Sequence, residues 1–384
     1  MEDFVYYCPT RIVFGKGSIA KLGDLVPQGS RILMTFGGGS IRRNGVYDQV
    51  RAALAGRQII EFGGIPPNPV YERLMEAAGI VRKEKIGFLL AVGGGSVLDG
   101  TKFISVAALH QGADPWDIVA KGAEVTSAVP LGCVLTLPAT GSEMNSFAVI
   151  SRNSTREKLP FQSEHVVPRF SILDPKTTFS LPAKQVRNGI VDAYAHVMEQ
   201  YATYPAAAPL QERQAEAILA TLIEEGPRTL ARPKDYNVRA NLVWCATQAL
   251  NGLIGCGVPQ DWATHMIGHE LTAFYGMDHA ESLAVVLPSL LVHELPRKAD
   301  RLAQYGRRVW GLDGGEKEQV ASAAIDKTRA FFESIDMRTR LADYGISAED
   351  AARKVSARMA ERKTALGEHQ AILPEHVAEI LRAC

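Results

Sequence analysis

The sequence lacks an excess of charge of either sign, because 42 lysine and arginine residues balance 42 aspartate and glutamate residues. Proteins that bind nucleic acid or an anionic membrane surface usually carry a surplus of positive charge. The sequence also lacks an apolar run near the roughly 20 residues that a membrane-spanning helix needs. We therefore expect neither a nucleic-acid partner nor a membrane partner.

Cysteine is scarce, and the positions of the cysteines form no recognisable motif. The five cysteines are odd in number and widely separated along the chain: Cys8, Cys133, Cys245, Cys256 and Cys384. Such spacing forms neither a disulfide framework nor a Cys-x-x-Cys metal site. The first residues show no basic region followed by an apolar stretch, which is the pattern of a secretory signal. These features predict a cytoplasmic protein whose thiols stay reduced.

A chain of 384 residues exceeds what one simple core usually holds, which predicts two domains. Up to about residue 174, short apolar runs alternate with amphipathic stretches, and four runs are typical of buried strands: Ile32–Phe36, Ile59–Phe62, Phe88–Val92 and Val134–Leu137. This alternation predicts a parallel sheet with helices on both faces. After residue 182 the strand patterns nearly vanish and long Ala-rich runs of helical period follow. We expect an α/β domain over residues 1–180 and an all-α domain over residues 181–384.

Two of the expected strands end in Gly-Gly-Gly-Ser, at Gly37, Gly38, Gly39 and Ser40 and again at 93–96. Glycine there lets the backbone approach a ligand, and the N–H groups of a following helix can bind phosphate. The usual Gly-x-Gly-x-x-Gly dinucleotide fingerprint is absent. Triple glycines also serve as plain tight turns, so one loop alone leaves both interpretations open. Two equivalent loops favour a phosphate site.

The first loop also indicates which dinucleotide is preferred. An acidic residue after the strand would hydrogen-bond both ribose hydroxyls and would disfavour a 2′-phosphate. Glycines hold those positions here, and Ser40, Arg42 and Arg43 follow as donors that suit a phosphate. NADP(H) is therefore favoured over NAD(H). The hydroxyl-rich segment 136–145 is open to two interpretations, a lining for the pyrophosphate or ribose, or an ordinary loop.

Histidine is rare, with nine in the chain, yet four of the nine fall in two short segments together with carboxylates. One carboxylate with several imidazoles suits Zn²⁺ or Fe²⁺. A single helical histidine is more often packed or solvated than a ligand, but burying so many ionisable groups without a use is costly. Three pairs of these residues are spaced four apart and so share a helix face: Asp192 with His196, Asp261 with His265, and His265 with His269. Together with His279, these pairs leave several sets of metal ligands open. The other histidines are isolated and interpreted as structural: His110, His165, His293, His369 and His376.

Four motifs together resemble the iron-containing, or group III, alcohol dehydrogenases. They are Gly-Gly-Gly-Ser-Val-Leu-Asp-Gly-Thr-Lys from Gly93, Leu-Pro-Ala-Thr-Gly-Ser-Glu from Leu137, Asp-Ala-Tyr-Ala-His from Asp192, and His-Met-Ile-Gly-His-Glu from His265 with the later Asp-His-Ala. The chain is most similar to the NADPH-dependent butanol dehydrogenase and broad-range aldehyde reductase branch, as the segment Pro9–Gly17 and the first glycine loop also indicate. The resemblance covers essentially the whole chain.

The resemblance implies a Rossmann-like dinucleotide-binding α/β domain, a helical metal-binding and catalytic domain, and an active site in the cleft between them, the architecture shared with dehydroquinate synthase. It implies four metal ligands, Asp192, His196, His265 and His279, and it assigns His269 to the proton path. The implied cofactor contacts are the phosphate loop and the segments after it: Gly94, Gly95, Ser96, Asp99, Thr136, Thr140, Ser142 and Lys158. NAD-using members carry an aspartate at or near Gly37, so its absence here supports NADP(H).

The implied activity is hydride transfer between NADP(H) and a small alcohol–aldehyde pair, such as a primary alcohol like butanol or a short-chain aldehyde. One divalent metal per subunit, Fe²⁺ or Zn²⁺, is expected to hold the carbonyl oxygen while His269 supplies the proton. The resemblance also implies a homodimer, with the strand Thr10–Phe14 pairing with its mate as one arrangement. Two alternatives stay open: glycerol dehydrogenase activity on the same architecture, with NAD and zinc, and a metal-binding or nucleotide-sensing protein without turnover.

Overall fold

The computed structural model describes all residues 1–384. Eight strands form in chain order: β1 Arg11–Phe14, β2 Ile32–Phe36, β3 Ile59–Phe62, β4 Phe88–Gly94, β5 Leu131–Leu137, β6 Phe147–Arg152, β7 Glu157–Gln162 and β8 Phe170–Leu173. Six helices lie among the strands: α1 Leu22–Leu25, α2 Ser40–Arg43, α3 Val46–Ala53, α4 Tyr71–Lys83, α5 Gly95–Ala107 and α6 Trp116–Ala120. Eight more follow the last strand: α7 Ala183–Tyr201, α8 Pro209–Ala231, α9 Tyr236–Ala249, α10 Ala263–Tyr275, α11 His279–Val309, α12 Lys317–Ser334, α13 Ala348–Glu361 and α14 Pro374–Arg382.

Six strands form one sheet in the order β1-β8-β5-β4-β2-β3, and every neighbouring pair in it is parallel. This confirms the predicted parallel sheet. Strands β2 and β3 coincide with the predicted runs, whereas β5 begins at Leu131 rather than Val134 and β4 continues to Gly94. Strands β6 and β7 pair with each other as a separate antiparallel hairpin.

The sheet is buried on both faces, as a parallel sheet requires. Strand β4 shows this by alternation, because Leu89 and Ala91 belong to a core with α4 and α5. Phe88, Leu90 and Val92 face the opposite core, which packs against α3 and the first helices. Helices therefore cover both faces, and the carboxyl ends of β2 and β4 lie side by side, since the two strands pair in register through Phe36 and Val92.

The chain divides into two compact units that are not continuous in sequence. The α/β unit contains residues 7–182 and the returning segment 233–247, which is most of α9. The helical unit contains residues 1–6, 183–232 and 248–384, and it confirms the predicted all-α character of the second half. None of the helices combines the length and the apolar character that crossing a bilayer demands.

The turn from β4 into α5 has no intervening loop, and it depends on close packing. Gly93 and Gly94 are the last residues of β4, and Gly95 is the first residue of α5. A Cβ atom on Gly93 would lie 2.5 Å from Cγ2 of Val97, and one on Gly95 would lie 2.5 Å from Cγ2 of Thr140. The glycines here are therefore required by space, whatever ligand they also contact.

The start of α10 is held by a buried ion triad in the helical unit. The Lys298 ammonium donates to Oδ2 of Asp261 at 2.5 Å and to Oε2 of Glu368 at 2.9 Å. All three side chains are at most 5% exposed. Burial and the neighbouring Asp261 raise the pKa of Glu368, whereas Lys298 keeps the pKa of Asp261 low although burial opposes it. One ammonium therefore faces two carboxylates, and the second carboxylate is the harder one to ionise.

We expect Gly93→Ala to destabilise the protein by about 1–3 kcal/mol, because the added methyl group must displace Val97 in a packed core. The matched control is Gly79→Ala in the middle of α4, where a Cβ atom meets nothing within 4 Å. That change should stabilise the protein by about 0.5–1 kcal/mol through helix propensity. Denaturant unfolding of the two variants measures both effects, and similar values for the two would contradict this packing account.

We expect the free energy of unfolding of Glu368→Gln, measured relative to that of the wild type, to increase as pH rises from about 5 to about 8. A carboxyl group with a raised pKa in the folded state contributes stability below its ordinary pKa of about 4.3, and this contribution is lost as pH rises through the folded value. Glutamine stays neutral and avoids that loss. Thermal unfolding of both proteins across this range tests the sign. The exposed Glu361, changed to Gln, is the control, and a pH-independent difference for Glu368→Gln would refute the account.

Candidate metal and cofactor sites

The metal candidates lie on three helices of the helical unit. Helix α7 carries Asp192 and His196, α10 carries His265 and His269, and His279 is the first residue of α11. The four predicted ligands therefore come together from segments that are far apart in the chain. The structure also separates the competing pair, because Asp261 is used by Lys298 and by the N–H of Ala263 rather than by the histidines.

Three imidazoles surround one oxygen of Asp192. From Oδ1 of Asp192 the distance is 3.7 Å to Nδ1 of His196, 3.8 Å to Nε2 of His265 and 3.6 Å to Nε2 of His279. Ligand atoms about 2.1 Å from a tetrahedral ion are about 3.4 Å apart. The spacing in this cluster is slightly wider than that.

The candidate ligands are not equally close to one another. One ligand atom each from Asp192, His265 and His279 falls within a single group of atoms no more than 4.8 Å apart. His196 lies outside this group, and its ring stacks against that of His265 with centroids 4.5 Å apart. The role of His196 as the fourth ligand therefore stays a prediction.

Burial and charge act differently on the two stacked histidines. Burial lowers the pKa of His196 to about 4, with a smaller contribution from repulsion by His265. For His265 burial also lowers the pKa, but the carboxylates of Glu199 and Asp192 outweigh it and raise the pKa to about 9. Nδ1 of His196 and Nε2 of His265 are buried and make no hydrogen bond. Unsatisfied buried nitrogens are costly, so a divalent cation fits this donor set.

His269 lies one helical turn after His265 and is 4% exposed. Its ring centroid is 5.2 Å from that of His279 and 6.3 Å from that of His265. His279 itself is the most accessible of the four candidate ligands, with 23% of its side chain exposed. The His279 side of the cluster is therefore where a small molecule can approach.

Residues that sequence reasoning did not single out hold the cluster in place. Asp278 and Glu281 form a capping box at the start of α11, and Lys184 of α7 contacts both carboxylates at 2.8 and 3.0 Å. Glu199 of α7 is hydrogen bonded to Nδ1 of His265. Its spacing was the available signal, because Glu199 stands seven residues after Asp192 and so lies on the same face of the helix.

The predicted phosphate loop lies at the amino end of α5 in the α/β unit. Gly94 caps this helix, Gly95 and Ser96 open it, and the close neighbour of Gly95 is Thr140. The first N–H groups of a helix are unpaired within it and attract anions. The structure therefore brings the second glycine loop and the Thr140 segment together, as the cofactor prediction requires.

Asp99 of α5 holds neighbouring segments of the α/β unit together. Its Oδ1 accepts the Ser142 hydroxyl at 2.7 Å and its Oδ2 accepts the N–H of Val149 at 3.0 Å. Burial raises the pKa of Asp99, and the positive charges of Lys102 and Lys158 oppose that shift. Asp99 and Ser142 thus bind each other and anchor the loop after β5 and strand β6 to helix α5. Of the other predicted contacts, Thr136 and Lys158 are also buried.

Lys102 is a buried lysine that the sequence did not mark as functional. Its ammonium donates to the carbonyl oxygen of Asn145 at 2.9 Å, to Oδ1 of Asn145 at 3.0 Å and to the carbonyl of Phe147 at 2.8 Å. Burial lowers its pKa to about 8, although Asp99 and Glu143 favour the charged form. Lys102 therefore holds the segment between β5 and β6 against α5.

The first glycine loop leads from β2 into α2, which carries Ser40, Arg42 and Arg43. An acidic residue does approach this loop, but from the neighbouring strand. Glu61 accepts Nη2 of Arg42 at 2.5 Å and the hydroxyl of Tyr47 at 2.6 Å. The Arg42 guanidinium also lies 4.1 Å above the Tyr47 ring. Arg42 is thus paired with Glu61 and Tyr47, and about half of its side chain is exposed.

Comparison with known proteins agrees with these features. The family model described as iron-containing alcohol dehydrogenase matches residues 9–175. The model for the C-terminal part of the Fe-containing alcohol dehydrogenase family matches residues 187–384. The two matches together cover almost the whole chain, and the resemblance stated from the motifs is confirmed.

Three relatives illustrate the range of the family. The NADPH-dependent aldehyde reductase YqhD of Escherichia coli is 56% identical over 348 residues, which is 90% of each chain. A crystal structure of YqhD superposes with a TM-score of 0.98 at 52% identity, covering 100% of this chain and 98% of that one. The NADP-dependent alcohol dehydrogenase 3 of Entamoeba histolytica is 42% identical over 91% of each chain. The NADH-dependent butanol dehydrogenase A of Thermotoga maritima has a TM-score of 0.94 at 36% identity, covering 100% of this chain and 98% of that one. The chain belongs to the iron-containing alcohol dehydrogenase family.

Proposed function

We propose that the protein is a metal-dependent oxidoreductase that transfers a hydride between NADP(H) and a small aldehyde or primary alcohol. The observation that carries this proposal is the buried cluster in which three imidazoles face one carboxylate oxygen at 3.6–3.8 Å. The similarity to an NADPH-dependent aldehyde reductase at 56% identity supports the same reaction class. Short-chain aldehydes and alcohols such as butanol are the substrate class that we propose.

Asp192, His196, His265 and His279 would hold one divalent ion, and the donor set of three nitrogens and one oxygen suits Fe²⁺ or Zn²⁺. When bound, such an ion supplies Lewis acidity toward a carbonyl oxygen. Asp192 is the only one of the four candidate ligands with a negative charge, so a dication and these ligands together would keep a net positive charge. That charge would favour negative charge developing on the substrate oxygen, and the buried carboxylate of Glu199 behind His265 would reduce it.

His269 is the residue that we propose to handle the proton. Its imidazole lies next to His279 and is buried, so a substrate that approaches the accessible His279 side comes within its reach. In the reduction direction the imidazole donates a proton to the substrate oxygen, and in the oxidation direction it accepts one. An imidazole is suited to both directions because its ordinary pKa lies near neutrality.

For the cofactor we propose that the α5 amino end, with Gly94, Gly95 and Ser96, holds the pyrophosphate. The contacts of Thr136, Thr140, Ser142 and Lys158 with the rest of the dinucleotide stay predictions, and Asp99 acts by holding Ser142. The first loop, from Gly37 to Arg43, would meet the ribose 2′-phosphate. Arg42 supports NADP(H) because its guanidinium lies at that loop, contacts Glu61 and Tyr47, and is still half-exposed to a ligand.

We also propose a homodimer formed through strand β1. This strand is an edge of the six-stranded sheet and pairs only with β8, and an exposed edge strand is a template for pairing with another chain. Three large apolar side chains that precede β1 in the sequence are exposed: Phe4, Val5 and Tyr7. By role, we propose residues 1–180 as the dinucleotide-binding domain and residues 181–384 as the metal-binding and catalytic domain, although residues 1–6 and 233–247 each pack in the other unit. Five free cysteines are in keeping with the proposed cytoplasmic location.

We expect His265→Ala to lose both bound metal and activity, because it removes a ligand from the centre of the cluster. His269→Ala should keep the metal and lower kcat by about 10²–10⁴, the usual contribution of a proton donor. Metal analysis and steady-state kinetics of both variants test this division. His293→Ala, which removes an imidazole outside the cluster, is the control. Loss of metal from His269→Ala would mean that ligand and proton donor are interchanged.

We expect kcat/KM with NADPH to exceed that with NADH by well over tenfold, a difference of at least about 1.4 kcal/mol. Arg42→Ala and Arg43→Ala should each raise the KM for NADPH and leave that for NADH nearly unchanged, because only NADPH carries the 2′-phosphate. Arg51→Ala, an exposed arginine on α3, is the control. Equal efficiency with the two cofactors would refute the role given to this loop.

We expect light scattering to give twice the chain mass of 41.7 kDa at micromolar protein concentration. The physical reason is the unpaired edge of β1. A mass of one chain over the whole concentration range would overturn the dimer proposal. It would leave the proposed chemistry of the metal cluster intact.

A further inference from the structure

Glu199 directs its carboxylate at the first turn of α10. Its Oε1 accepts the N–H of Thr264 at 2.6 Å and the N–H of His265 at 3.3 Å. Its Oε2 is hydrogen bonded to Nδ1 of the His265 ring. The side chain is 3% exposed, so water hardly competes for these bonds. One buried carboxylate therefore binds both the backbone and the ring of the same histidine.

These contacts decide which ring nitrogen of His265 faces the cluster. A carboxylate accepts hydrogen bonds and does not donate them, so the hydrogen in this bond comes from Nδ1. A metal binds only a ring nitrogen that carries no hydrogen, so with the hydrogen held on Nδ1 it is Nε2 that gives up its hydrogen and offers its lone pair to the metal. Nε2 is the atom that lies 3.8 Å from Oδ1 of Asp192. In the metal-bound form the ring thus presents Nε2 to the cluster as a ligand atom.

We propose that Glu199 is a positioning residue that sets the tautomer and the orientation of His265 for binding a divalent metal. The proposal rests on the metal site proposed above. Carboxylates that support a ligand histidine in this way typically change metal affinity by about 10–100-fold when they are removed. Glu199 also fixes where His265 sits along the chain, because it binds the backbone N–H groups at the start of α10.

Glu199→Gln separates the two tasks. The amide oxygen of glutamine can still accept the backbone N–H groups of Thr264 and His265, so the cap on α10 is kept. The amide NH₂ then faces Nδ1 and donates to it. Nδ1 becomes an acceptor, the hydrogen moves to Nε2, and Nε2 loses the lone pair that a metal needs.

The experiment measures Co²⁺ binding to metal-free protein through the visible absorption of the bound ion. The wild type should bind one Co²⁺ per chain, and Glu199→Gln should bind it about 10–100-fold more weakly while its circular dichroism stays unchanged. The control is Glu216→Gln, which replaces another buried carboxylate of the helical unit that contacts Tyr201 and Arg308. Its Co²⁺ affinity should match that of the wild type.

The possible failures are distinguishable. If the wild type binds no Co²⁺ at one per chain, the proposed metal site itself is wrong. If the wild type binds Co²⁺ and Glu199→Gln binds it equally well with the same spectrum, only the role of Glu199 is overturned. Should Glu199→Gln not fold, ¹⁵N-labelled histidine in the Zn²⁺-loaded wild type decides the matter. His265 should then show a hydrogen on Nδ1, and a metal-bound Nδ1 would refute the proposal.

Discussion

A buried carboxylate surrounded by imidazoles is the constraint on which the helical unit depends. Asp192 is 3% exposed, and the histidines around it come from three different helices. Ionisable groups are tolerated in such a place only when opposite charge or a metal compensates them. The crossing of α7, α10 and α11 is therefore tied to the same groups that give the protein its chemistry. A shift of any one of these helices therefore separates its candidate ligands from those on the other two helices.

The residues behind the cluster show how this arrangement is kept. Glu199 holds the first turn of α10 and the ring of His265, and Lys184 holds the capping box that begins with Asp278. Lys298 fixes Asp261, which comes just before α10. Each of these contacts uses a charge on a residue outside the candidate ligand set. Precision in a metal site usually comes from such supporting contacts rather than from the ligands alone.

Much of the architecture could be predicted from local patterns. Strands β2 and β3 match their predicted runs because each run is mostly apolar and is bounded by polar or glycine residues. The start of β5 was missed since Gly132 interrupts its apolar run. The hairpin of β6 and β7 was missed because β7 contains Pro160 and begins with two charged residues, which is not a typical strand pattern. The return of residues 233–247 to the α/β unit has no local signal, since only contacts distant in sequence determine it.

The residues of the candidate sites were likewise predictable from the sequence only in part. Spacing alone left several ligand sets open. The family resemblance selected four residues, and the structure places three of them, the histidines, around the carboxylate of the fourth, Asp192. Glu61, Lys102 and Glu199 were not predicted, because a charged side chain shows its partner only when distant segments are folded together. For Asp261, the buried contact with Lys298 explains why a residue with ligand spacing is not part of the cluster.

The most direct test of the central claim is to follow activity against metal content. The protein is stripped with a chelator, reloaded anaerobically with graded amounts of Fe²⁺ or Zn²⁺, and assayed with NADPH and a short-chain aldehyde. If the Asp192 cluster holds the ion that the reaction needs, turnover rises in proportion to bound metal and levels off at one ion per chain. Full turnover by the stripped, metal-free protein would contradict the account.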